Sequence, residues 1–385
     1  MRLAITVDPL DVQMGGIGRY TLELIKGLRQ RAEVQDLRYY RHGRWIADPL
    51  ALLRGEVVGE SSPGWLPRGW HRHRDLRRHR SHLFHGTNFF LPAEAEQGVI
   101  TIHDLSVLRF PELHPVERVR AYEREFARSV QRAAHILTPS ETIRQEVVEY
   151  LGAAPDRVLA IPLAASREYR PRSREELAPL LKAWDLTPGS YGLSVSTIEP
   201  RKKLEQSLAA WSSLPPAVGR RWPLVVAGGA GWGNTAIRER IQRGRAEGWL
   251  RDLGYVPEEQ LPTLYAGARI LLYPSAYEGF GLPVVEAMAS GVPCLISPNS
   301  CLAEVTQGAA LAVDPDDILD YAEKTEKALT DEGWRASVIA NGLRVAASYS
   351  WDRCVSETLA VYRMALNSSC GSGGSFDPLR GSARN

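Results

Sequence analysis

Short apolar segments alternate with longer amphipathic segments along almost the whole chain. Six apolar segments are brief, contain β-branched or aromatic residues, and end in polar or glycine-bearing positions: LAITVD (3–8), GVITIHD (98–104), HILTPS (135–140), YGLSVST (191–197), PLVVAGG (223–229) and RILLYPS (269–275). Buried parallel strands have this character, and their alternation with helical segments is typical of repeated strand–helix–strand units. The pattern therefore predicts an α/β protein whose binding residues lie at the carboxyl ends of its strands.

One longer segment has the periodicity of an amphipathic helix. PVERVRAYEREFARSVQRAAH (115–135) carries apolar residues at intervals of three and four, at Val116, Val119, Tyr122, Phe126, Val130 and Ala133. This spacing places them on one side of a helix. We therefore predict a helix with a single buried face over this segment.

The chain length of 385 residues predicts two domains, because a single hydrophobic core seldom serves more than about 300 residues. A polar, proline-bearing stretch at 164–191 contains the predicted boundary. We predict a first domain of residues 1–170 to which a helix at 350–366 returns, and a second domain of residues 171–349. Residues 367–385 are predicted to be disordered, since they carry too little apolar surface to offset their ordering entropy.

Composition and cysteine usage exclude several classes of protein. No apolar run approaches the roughly 18 residues of a membrane-spanning helix, and the amino terminus lacks the apolar region of a secretory signal. A cytoplasmic location is therefore predicted. The four cysteines have neither paired nor metal-ligand spacing, which suits reduced thiols, and no chemistry is assigned to them.

Charge is distributed unevenly, although the formal net charge of +2 is too small to indicate nucleic-acid binding. The run RGWHRHRDLRRHR, from Arg68 to Arg80, holds six arginines and three histidines against one aspartate. It is either a solvated surface segment or a docking patch for an anionic membrane surface or a phosphate-bearing acceptor. A metal site at its histidines is disfavoured, because no carboxylate or cysteine has a matching spacing.

Two glutamates flank a glycine-rich turn in EGFGLPVVE, from Glu278 to Glu286. Pro283 suits the first turn of a helix that ends near Gly291, and the glycines leave backbone N–H groups open to a ligand. The carboxylates would repel an anion but accept hydrogen bonds from adjacent sugar hydroxyls. The alternatives are a favourable first-turn charge for Glu286 and a loop cap for Glu278.

A second cluster, STIEPRKKL (196–204), follows the strand predicted in YGLSVST. Arg201, Lys202 and Lys203 are adjacent cations in a chain with few lysines. At the end of a strand, such cations are well placed to neutralise a departing diphosphate. For one of the two lysines, an exposed position at the start of a helix remains the alternative.

The first domain offers weaker signals. DVQMGGIGRY places Gly15, Gly16 and Gly18 after the first strand and ahead of a predicted helix, but it does not match the dinucleotide-binding fingerprint. His85 in FHGTNFFLP and His103 in TIHDLS each follow a strand. Each is either a buried structural histidine or a site residue.

The segments GGIGRY, FHGT, IHDL, TPSE, EPRKK and EGFGLPVVEAMASGVPC, followed by AEV and AALAVDPDD, occur together in this chain. Their combination resembles the group 1 glycosyltransferases of glycosyltransferase family 4, from Met1 to about Leu366. The resemblance implies a GT-B fold, in which two Rossmann-like domains with parallel sheets face each other across a cleft. It also implies a nucleotide-sugar donor held mainly by the second domain, an acceptor held by the first, and neither a metal nor another cofactor.

The resemblance also implies roles for individual residues. His103 would lie beside the sugar and the bond that breaks, Arg201 and Lys202 would bind the diphosphate, Glu278 would bind the sugar hydroxyls, and Glu286 the ribose. The implied donor-binding set is Gly15, Gly16, Ser196, Arg201, Lys202, Glu278, Gly279, Phe280, Gly281, Leu282 and Glu286. The implied acceptor-binding set is Arg19, Tyr20, His85 and Asn88.

Such enzymes retain the anomeric configuration, and the sequence offers no evident carboxylate nucleophile beside His103. We therefore expect front-face displacement, in which the leaving phosphate oxygen accepts the proton of the acceptor hydroxyl. Arg201 and Lys202 would stabilise the charge that develops on the phosphate. The chain has EPRKK where relatives frequently have EPRKN, which adds a cation at Lys203.

Among relatives, the chain looks most similar to bacterial mannosyl- and rhamnosyltransferases that build O-polysaccharide on a lipid carrier. We therefore predict a retaining hexosyltransferase that uses GDP-mannose or GDP-rhamnose and a lipid-linked glycan acceptor at the inner membrane face. The alternatives are a UDP-sugar-dependent member with another acceptor and a sugar-nucleotide 2-epimerase. A non-catalytic subunit is disfavoured because the charged residues Lys202, Glu278 and Glu286 are all present.

Overall fold

The computed structural model describes residues 1–56, 81–93, 95, 98–229 and 235–368. The chain forms two compact units, one of Met1–Leu163 with the residues from Trp351 onward, the other of Ala164–Ser350. This division lies a few residues before the predicted boundary at 170/171. The run from Arg68 to Arg80 and the tail beyond Ser368 lie outside the described residues.

The first unit is built on a sheet that has seven strands in the described part of the chain. The strands are β1 (Arg2–Thr6), β2 (Asp36–Arg41), β3 (Arg44–Ile46), β4 (Leu83–Gly86), β5 (Gly98–Thr101), β6 (Ala133–Thr138) and β7 (Val158–Ala160). Their order is β3–β2–β1–β4–β5–β6–β7, and every neighbouring pair is parallel except β2 and β3. The carboxyl ends of β1, β4 and β5 therefore lie side by side at one edge of the sheet.

The second unit is built on a six-stranded sheet, counted over the described residues. Its strands are β8 (Gly192–Val195), β9 (Leu224–Ala227), β10 (Leu250–Gly254), β11 (Ile270–Tyr273), β12 (Cys294–Ile296) and β13 (Leu311–Ala312). Their order is β10–β9–β8–β11–β12–β13, and all neighbours are parallel. β8 and β11 are neighbours at the centre, so the loops that follow them emerge side by side.

Helices connect the strands in both units. They are α1 (Gly16–Arg29), α2 (Ser106–Arg109), α3 (Val116–Arg132), α4 (Glu141–Leu151), α5 (Arg174–Leu181), α6 (Leu204–Ser212), α7 (Pro216–Arg221), α8 (Thr235–Glu247), α9 (Leu261–Ala266), α10 (Leu282–Ala289), α11 (Leu302–Thr306), α12 (Ile318–Thr330), α13 (Glu332–Ala346) and α14 (Trp351–Ser368). The predicted α/β class with parallel sheets is confirmed, and each of the six predicted segments contains a strand.

Two helix predictions need correction. Tyr122, Phe126 and Val130 form the buried face of α3, but Val116 in its first turn is 56% exposed. Ala133 is buried in β6, because the strand begins at the residue after the helix ends. The helix predicted to follow the glycine segment begins at Gly16, with Gly15 as its N-cap, so Gly16 and Gly18 lie inside it rather than ahead of it.

The last helix, α14, packs against α1 in the first unit. A Cβ atom at Gly27 would lie 2.4 Å from Val355 Cγ2, so the glycine permits the close approach of the two helices. Arg31 donates to Asp352 Oδ1 at 2.6 Å on the exposed side of this contact. The helix continues to Ser368, which is two residues into the segment predicted to be disordered.

Trp211 of α6 fills the core of the second unit directly over β8. The tryptophan is 1% exposed, and a Cβ atom at Gly192 would lie 2.2 Å from its Cη2 atom. Glycine at this strand position therefore admits the largest side chain of the core. The contact fixes one face of β8, whose other end leads into the EPRKK loop.

We predict that Gly192→Ala lowers the free energy of unfolding by about 1–3 kcal/mol, because the added methyl group overpacks the core at Trp211. Urea unfolding followed by tryptophan fluorescence measures the change. Gly219→Ala in α7 is the matched control, since the nearest atom to its added Cβ lies at 3.9 Å and alanine favours a helix. Equal stability of native protein and Gly192→Ala would contradict the close packing.

Candidate functional site

The loops that follow β8 and β11 carry the acidic and basic residues singled out in the sequence. The first loop contains a 3₁₀ turn, Pro200–Lys202, and the second leads into α10. Two hydrogen bonds join them: the Ala276 N–H donates to the Arg201 carbonyl at 2.9 Å, and the Ser275 hydroxyl donates to the same oxygen at 3.3 Å. This junction places Arg201 and Lys202 beside Glu278.

Glu278 contacts both cations. Lys202 Nζ donates to Glu278 Oε1 at 2.5 Å, and Arg201 Nη1 lies 3.6 Å from Glu278 Oε2. Arg201 is also held by Glu199, whose Oε1 accepts from Nη2 at 2.9 Å, and by the Tyr277 carbonyl at 2.6 Å. All four charged side chains are at most 12% exposed. Two acids and two bases therefore form a buried cluster with balanced formal charge.

Glu278 stays ionised in spite of its burial. Removal from water favours the neutral carboxyl, but the charges of Lys202 and Arg201 outweigh this and hold the pKa of Glu278 below its ordinary value of 4.5. Tyr273 shifts in the other direction, because burial and the Glu278 charge raise its pKa well above 10.0. Near neutral pH the cluster therefore contains a carboxylate and a protonated phenol.

Two members of the cluster were missed by the sequence analysis. Glu199 lies inside the motif EPRKK, where an acid two residues before Arg201 was the available signal. Tyr273 is the last residue of β11, at the carboxyl end where binding residues were expected. No local pattern distinguishes this tyrosine from a core residue, because its contact with Lys202 joins residues 71 positions apart in the chain.

The turn between Glu278 and α10 depends on Gly281. Its φ of +91° lies in the left-handed region, and a Cβ there would lie 2.3 Å from Leu302 Cδ2. The helix begins at Leu282, so Glu286 lies in its second turn, and the interpretation of Glu286 as a first-turn charge is wrong. Glu286 is only 1% exposed, a burial that helix electrostatics does not explain.

The side chains between the two glutamates pack into their own unit. Phe280 is 4% exposed and meets Tyr349 edge to face, with 5.5 Å between ring centroids. Leu282 is also buried. Contacts to a sugar from residues 279–282 would therefore come from backbone atoms, as the resemblance implies.

Lys203 and Ser196 differ from their neighbours in the same loop. Lys203 Nζ donates to Asp316 Oδ1 at 2.9 Å, so the second lysine of EPRKK binds an acid other than Glu278. Ser196 is half-buried, and its carbonyl lies so close to Gly228 that a Cβ there would come within 1.8 Å. The predicted donor contact of Ser196 stays a prediction.

The glycine segment of the first unit contains two kinds of glycine. A Cβ at Gly18 would lie 2.2 Å from Met14 Cγ and 2.7 Å from the Pro9 carbonyl, so packing requires that glycine. Gly15 and Gly16 are exposed, and a Cβ at Gly15 meets nothing within 4 Å. Since α1 has no acidic residue in its first turn, its amino terminus suits an anion.

His103 follows β5 and is buried against aromatic rings. Its Nε2 donates to the Thr87 carbonyl at 2.8 Å, because a carbonyl oxygen only accepts. Burial lowers the pKa of His103, so the ring is neutral near pH 7 and Nδ1 is an acceptor. Tyr20 and Phe89 meet the ring edge-on, at 5.0 and 6.0 Å between centroids.

His85 and Tyr20 belong to a buried hydrogen-bond network. His85 Nδ1 and the Tyr362 hydroxyl share a hydrogen bond of 2.6 Å, and His85 Nε2 and Thr101 Oγ1 share one of 2.8 Å. The Tyr20 hydroxyl bonds the same Thr101 oxygen at 2.8 Å. Burial lowers the pKa of His85 to about 3, which keeps it neutral. His85 and Tyr20 could contact an acceptor only if hydrogen bonds of this network were broken.

Arg19 and Asn88, the other implied acceptor residues, are half-buried. Arg19 lies in the first turn of α1, where its N–H donates to the Gly15 carbonyl at 3.0 Å. Asn88 precedes Phe89, whose φ of +65° gives the loop after β4 a sharp turn. Their roles stay predictions.

The described residues offer no candidate for a metal centre or a membrane-spanning helix. Over those ranges, no group of three or more His, Cys, Asp or Glu could hold a metal ion. Cys294, Cys301 and Cys354 are buried and form no disulfide in the described part of the chain, and Cys370 lies outside the described residues. No helix of the described chain is both long and apolar enough to cross a membrane.

Two family profiles match the chain. The profile described as Glycosyl transferases group 1 matches residues 188–345, which include the buried charge cluster. The profile described as Glycosyltransferase Family 4 matches residues 14–168, which include His103 and the glycine segment. Each profile therefore covers the greater part of one structural unit.

The chain is similar to named proteins along most of its length. O-antigen chain mannosyltransferase B of Escherichia coli is 36% identical over 389 residues, which span 94% of this chain and 100% of that protein. The serotype-specific mannosyltransferase WbdA of Escherichia coli is 34% identical over 246 residues, 62% of this chain but only 30% of that longer protein.

Solved structures match the fold at lower identity. WaaG, a glycosyltransferase involved in lipopolysaccharide biosynthesis, has a TM-score of 0.70 and 16% identity, covering 94% of this chain and 99% of that one. Anabaena Alr3699/HepE in complex with UDP and glucose has a TM-score of 0.74 and 17% identity, with the same coverage. At these identities the likeness concerns the fold alone.

We predict that Glu278→Gln lowers the free energy of unfolding at neutral pH by about 3 kcal/mol, because two buried cations lose their shared carboxylate. The folded pKa lies below 4.5, so this stabilisation is present above the unfolded pKa and is lost as pH falls through the folded value. Urea unfolding across pH should give a difference that is constant down to about pH 5 and then shrinks.

Glu332→Gln is the matched control for this measurement. Its hydrogen bond to Arg269 also lowers the pKa of Glu332, but its side chain is 72% exposed. Solvent screening should limit its loss to about 1 kcal/mol or less. A Glu278→Gln loss no larger than this, or one that grows as pH falls, would contradict a buried ionised carboxylate.

Proposed function

This chain belongs to the group 1 glycosyltransferases of glycosyltransferase family 4, and from that premise we propose that it transfers mannose from GDP-mannose to a growing O-antigen glycan. Its fold is the GT-B fold that the sequence predicted, with two Rossmann-like α/β units. Support for the sugar and the acceptor comes from the full-length similarity to an O-antigen chain mannosyltransferase. GDP-rhamnose is the alternative donor.

The single structural observation that carries the proposal is the buried cluster in which Lys202 and Glu278 meet. A nucleotide sugar presents a diphosphate and adjacent hydroxyls within a few ångströms of each other, and the cluster offers cations and a carboxylate at the same spacing. Arg201 and Lys202 would bind the diphosphate through charge-assisted hydrogen bonds. Glu278 would accept hydrogen bonds from the sugar, and Glu286 from the ribose.

Donor binding requires Lys202 and Glu278 to exchange partners. In the structure they neutralise each other, with 2.5 Å between Nζ and Oε1. An intact donor offers a diphosphate to the lysine and hydroxyls to the glutamate, so both buried groups keep a partner. A nucleoside diphosphate without the sugar offers a partner to Lys202 but none to Glu278. We infer that the Lys202–Glu278 pair makes the site bind the intact nucleotide sugar more tightly than the nucleoside diphosphate product.

The reaction we propose is front-face displacement with retention. Asp104, the acidic neighbour of His103 in the chain, accepts from the N–H of Ser106, the first residue of the short helix α2, at 2.9 Å. That engagement favours a mechanism without a carboxylate nucleophile. The leaving phosphate oxygen would accept the proton of the acceptor hydroxyl while Arg201 and Lys202 stabilise its charge. The anomeric configuration of the product, read by NMR, tests retention.

His103 would act as a neutral hydrogen-bond acceptor. Its Nε2–H donates to the Thr87 carbonyl, and burial keeps the ring uncharged near pH 7. Nδ1 would therefore accept a hydrogen bond from a sugar hydroxyl, without adding a positive charge beside the bond that breaks. Nδ1 chemical shifts with and without GDP-mannose test this role.

The 2-epimerase alternative uses the same kind of nucleotide sugar but consumes no acceptor. No residue contact described above favours it over transfer. Sugar release that depends on added glycan acceptor distinguishes the two reactions.

A membrane role for the run Arg68 to Arg80 rests on the sequence alone, since the run lies outside the described residues. We predict that replacing its six arginines with glutamine reduces flotation with vesicles that contain anionic lipid, because each basic residue contributes roughly 1 kcal/mol at such a surface. Vesicles of neutral lipid are the control. Unchanged flotation with anionic vesicles would remove this role.

We predict that Lys202→Ala weakens binding of GDP and GDP-mannose alike by about 10- to 100-fold, the effect of one charge-assisted hydrogen bond. Glu278→Gln should weaken the binding of GDP-mannose by about tenfold or more, because the sugar loses its carboxylate partner. The affinity for GDP should stay unchanged or rise, since Lys202 no longer has to break an ion pair with a carboxylate before it binds the diphosphate. Isothermal titration calorimetry measures both affinities. At a hundredfold excess over Kd, a true donor should also stabilise the native protein by about 2.7 kcal/mol.

Lys203→Ala is the matched control, because this adjacent lysine binds Asp316 rather than Glu278. Its affinities should stay within about twofold of native, since no phosphate contact is lost. If Glu278→Gln weakened both ligands equally, its sugar role would be wrong. Binding of UDP-glucose in preference to GDP-mannose would replace the proposed donor.

A further inference from the structure

Tyr273 occupies a position in the charge cluster to which no role has been assigned. It is the last residue of β11, and its side chain is 4% exposed. Lys202 Nζ donates to its hydroxyl oxygen at 3.0 Å and lies 5.3 Å from the centroid of its ring. Burial and the nearby Glu278 charge raise the pKa of this phenol well above its ordinary value, so it stays protonated near neutral pH. One ammonium group therefore donates both to the Tyr273 phenol oxygen and to the Glu278 carboxylate.

The side chain of Tyr273 is held in place by its surroundings, whereas the side chain of Lys202 can change its conformation. Tyr273 pairs with Ile296 in the parallel ladder between β11 and β12, and its ring is buried in the unit. Lys202 ends a 3₁₀ turn in a loop and reaches the cluster through a side chain with four rotatable bonds. The position of the ammonium group therefore depends on what binds it at its far end.

The two contacts of the ammonium group would behave differently when a donor binds. The bond to Glu278 is the one that a sugar and a diphosphate replace, if the proposed function holds. The bond to the Tyr273 hydroxyl requires no change, because that oxygen accepts from an ammonium group in either arrangement.

We propose that Tyr273 is a positioning residue that holds the Lys202 ammonium group between the sugar-binding carboxylate and the diphosphate. This inference rests on the proposed function, in which Lys202 binds the diphosphate. Tyr273 acts through the lysine and need not touch the donor. The lysine then exchanges partners by a small rotation about a fixed hydrogen bond.

A double-mutant cycle between Tyr273→Phe and Lys202→Met tests the inference. The ligand is inorganic pyrophosphate, whose binding does not depend on the nucleotide base, and isothermal titration calorimetry gives its Kd. Tyr273→Phe should raise Kd about tenfold in the native background and leave it within twofold in the Lys202→Met background. A structural role would raise Kd by the same factor in both backgrounds, and this would overturn the proposal.

Tyr191→Phe is the matched control. Tyr191 is fully buried in the same unit, and its hydroxyl donates to the Leu264 carbonyl at 2.5 Å, before the start of β8. Removal of the Tyr191 hydroxyl should leave the Kd for pyrophosphate unchanged. If Tyr191→Phe weakened pyrophosphate binding as much as Tyr273→Phe does, the proposal would be overturned. If Tyr273→Phe loses cooperative unfolding, Tyr273→Leu, which also lacks the hydroxyl, replaces it in the cycle.

The cycle separates failure of the inference from failure of the proposed function. If Lys202→Met does not weaken pyrophosphate binding, the diphosphate role of Lys202 is wrong, and the inference falls with it. If Lys202→Met weakens binding and Tyr273→Phe does not, the proposed function stands and only the positioning role is wrong.

Discussion

The buried ion pair between Lys202 and Glu278 is the interaction on which the second unit's site depends. Leaving either charge buried alone would cost several kcal/mol, so each group needs a partner whatever state the site is in. Adjacent β8 and β11 bring the two loops together, and hydrogen bonds to the Arg201 carbonyl fix their separation. Gly281 then lets the chain turn into α10 without moving Glu278.

The two units use buried polar groups in contrasting ways. In the first unit, Tyr20, Thr101, His85 and Tyr362 form a neutral network in which hydroxyl and imidazole groups satisfy one another. Such a network stabilises the packing of α1 and α14 on the sheet, and it contains no ionised group that could bind a charged ligand. In the second unit, the buried groups are charged, so the same burial that costs solvation would strengthen the proposed binding of a sugar diphosphate.

Particular residues show where sequence reasoning succeeded and where it failed. The strands ending at Thr101 and Tyr273 were predicted because short apolar runs with polar ends have few other structures available to them. Val116 was wrongly placed on a buried face, since periodicity describes one side of a helix but not how far the packed surface extends. Glu286 was compatible with a first-turn charge until the observed start of α10 excluded it.

The sequence by itself determined the α/β class, the parallel strands and the motifs EPRKK and EGFGLPVVE, because these depend on local periodicity and on residue types at fixed spacing. Only the tertiary structure decided that Lys202 binds Glu278 while Lys203 binds Asp316, and that Glu199 and Tyr273 complete the cluster. The physical reason is distance along the chain. The partners of Lys202 and Lys203 lie 71 to 113 positions away along the chain. Such distant residues meet only through the order of strands in the sheet, and that order is set by the packing of the whole unit.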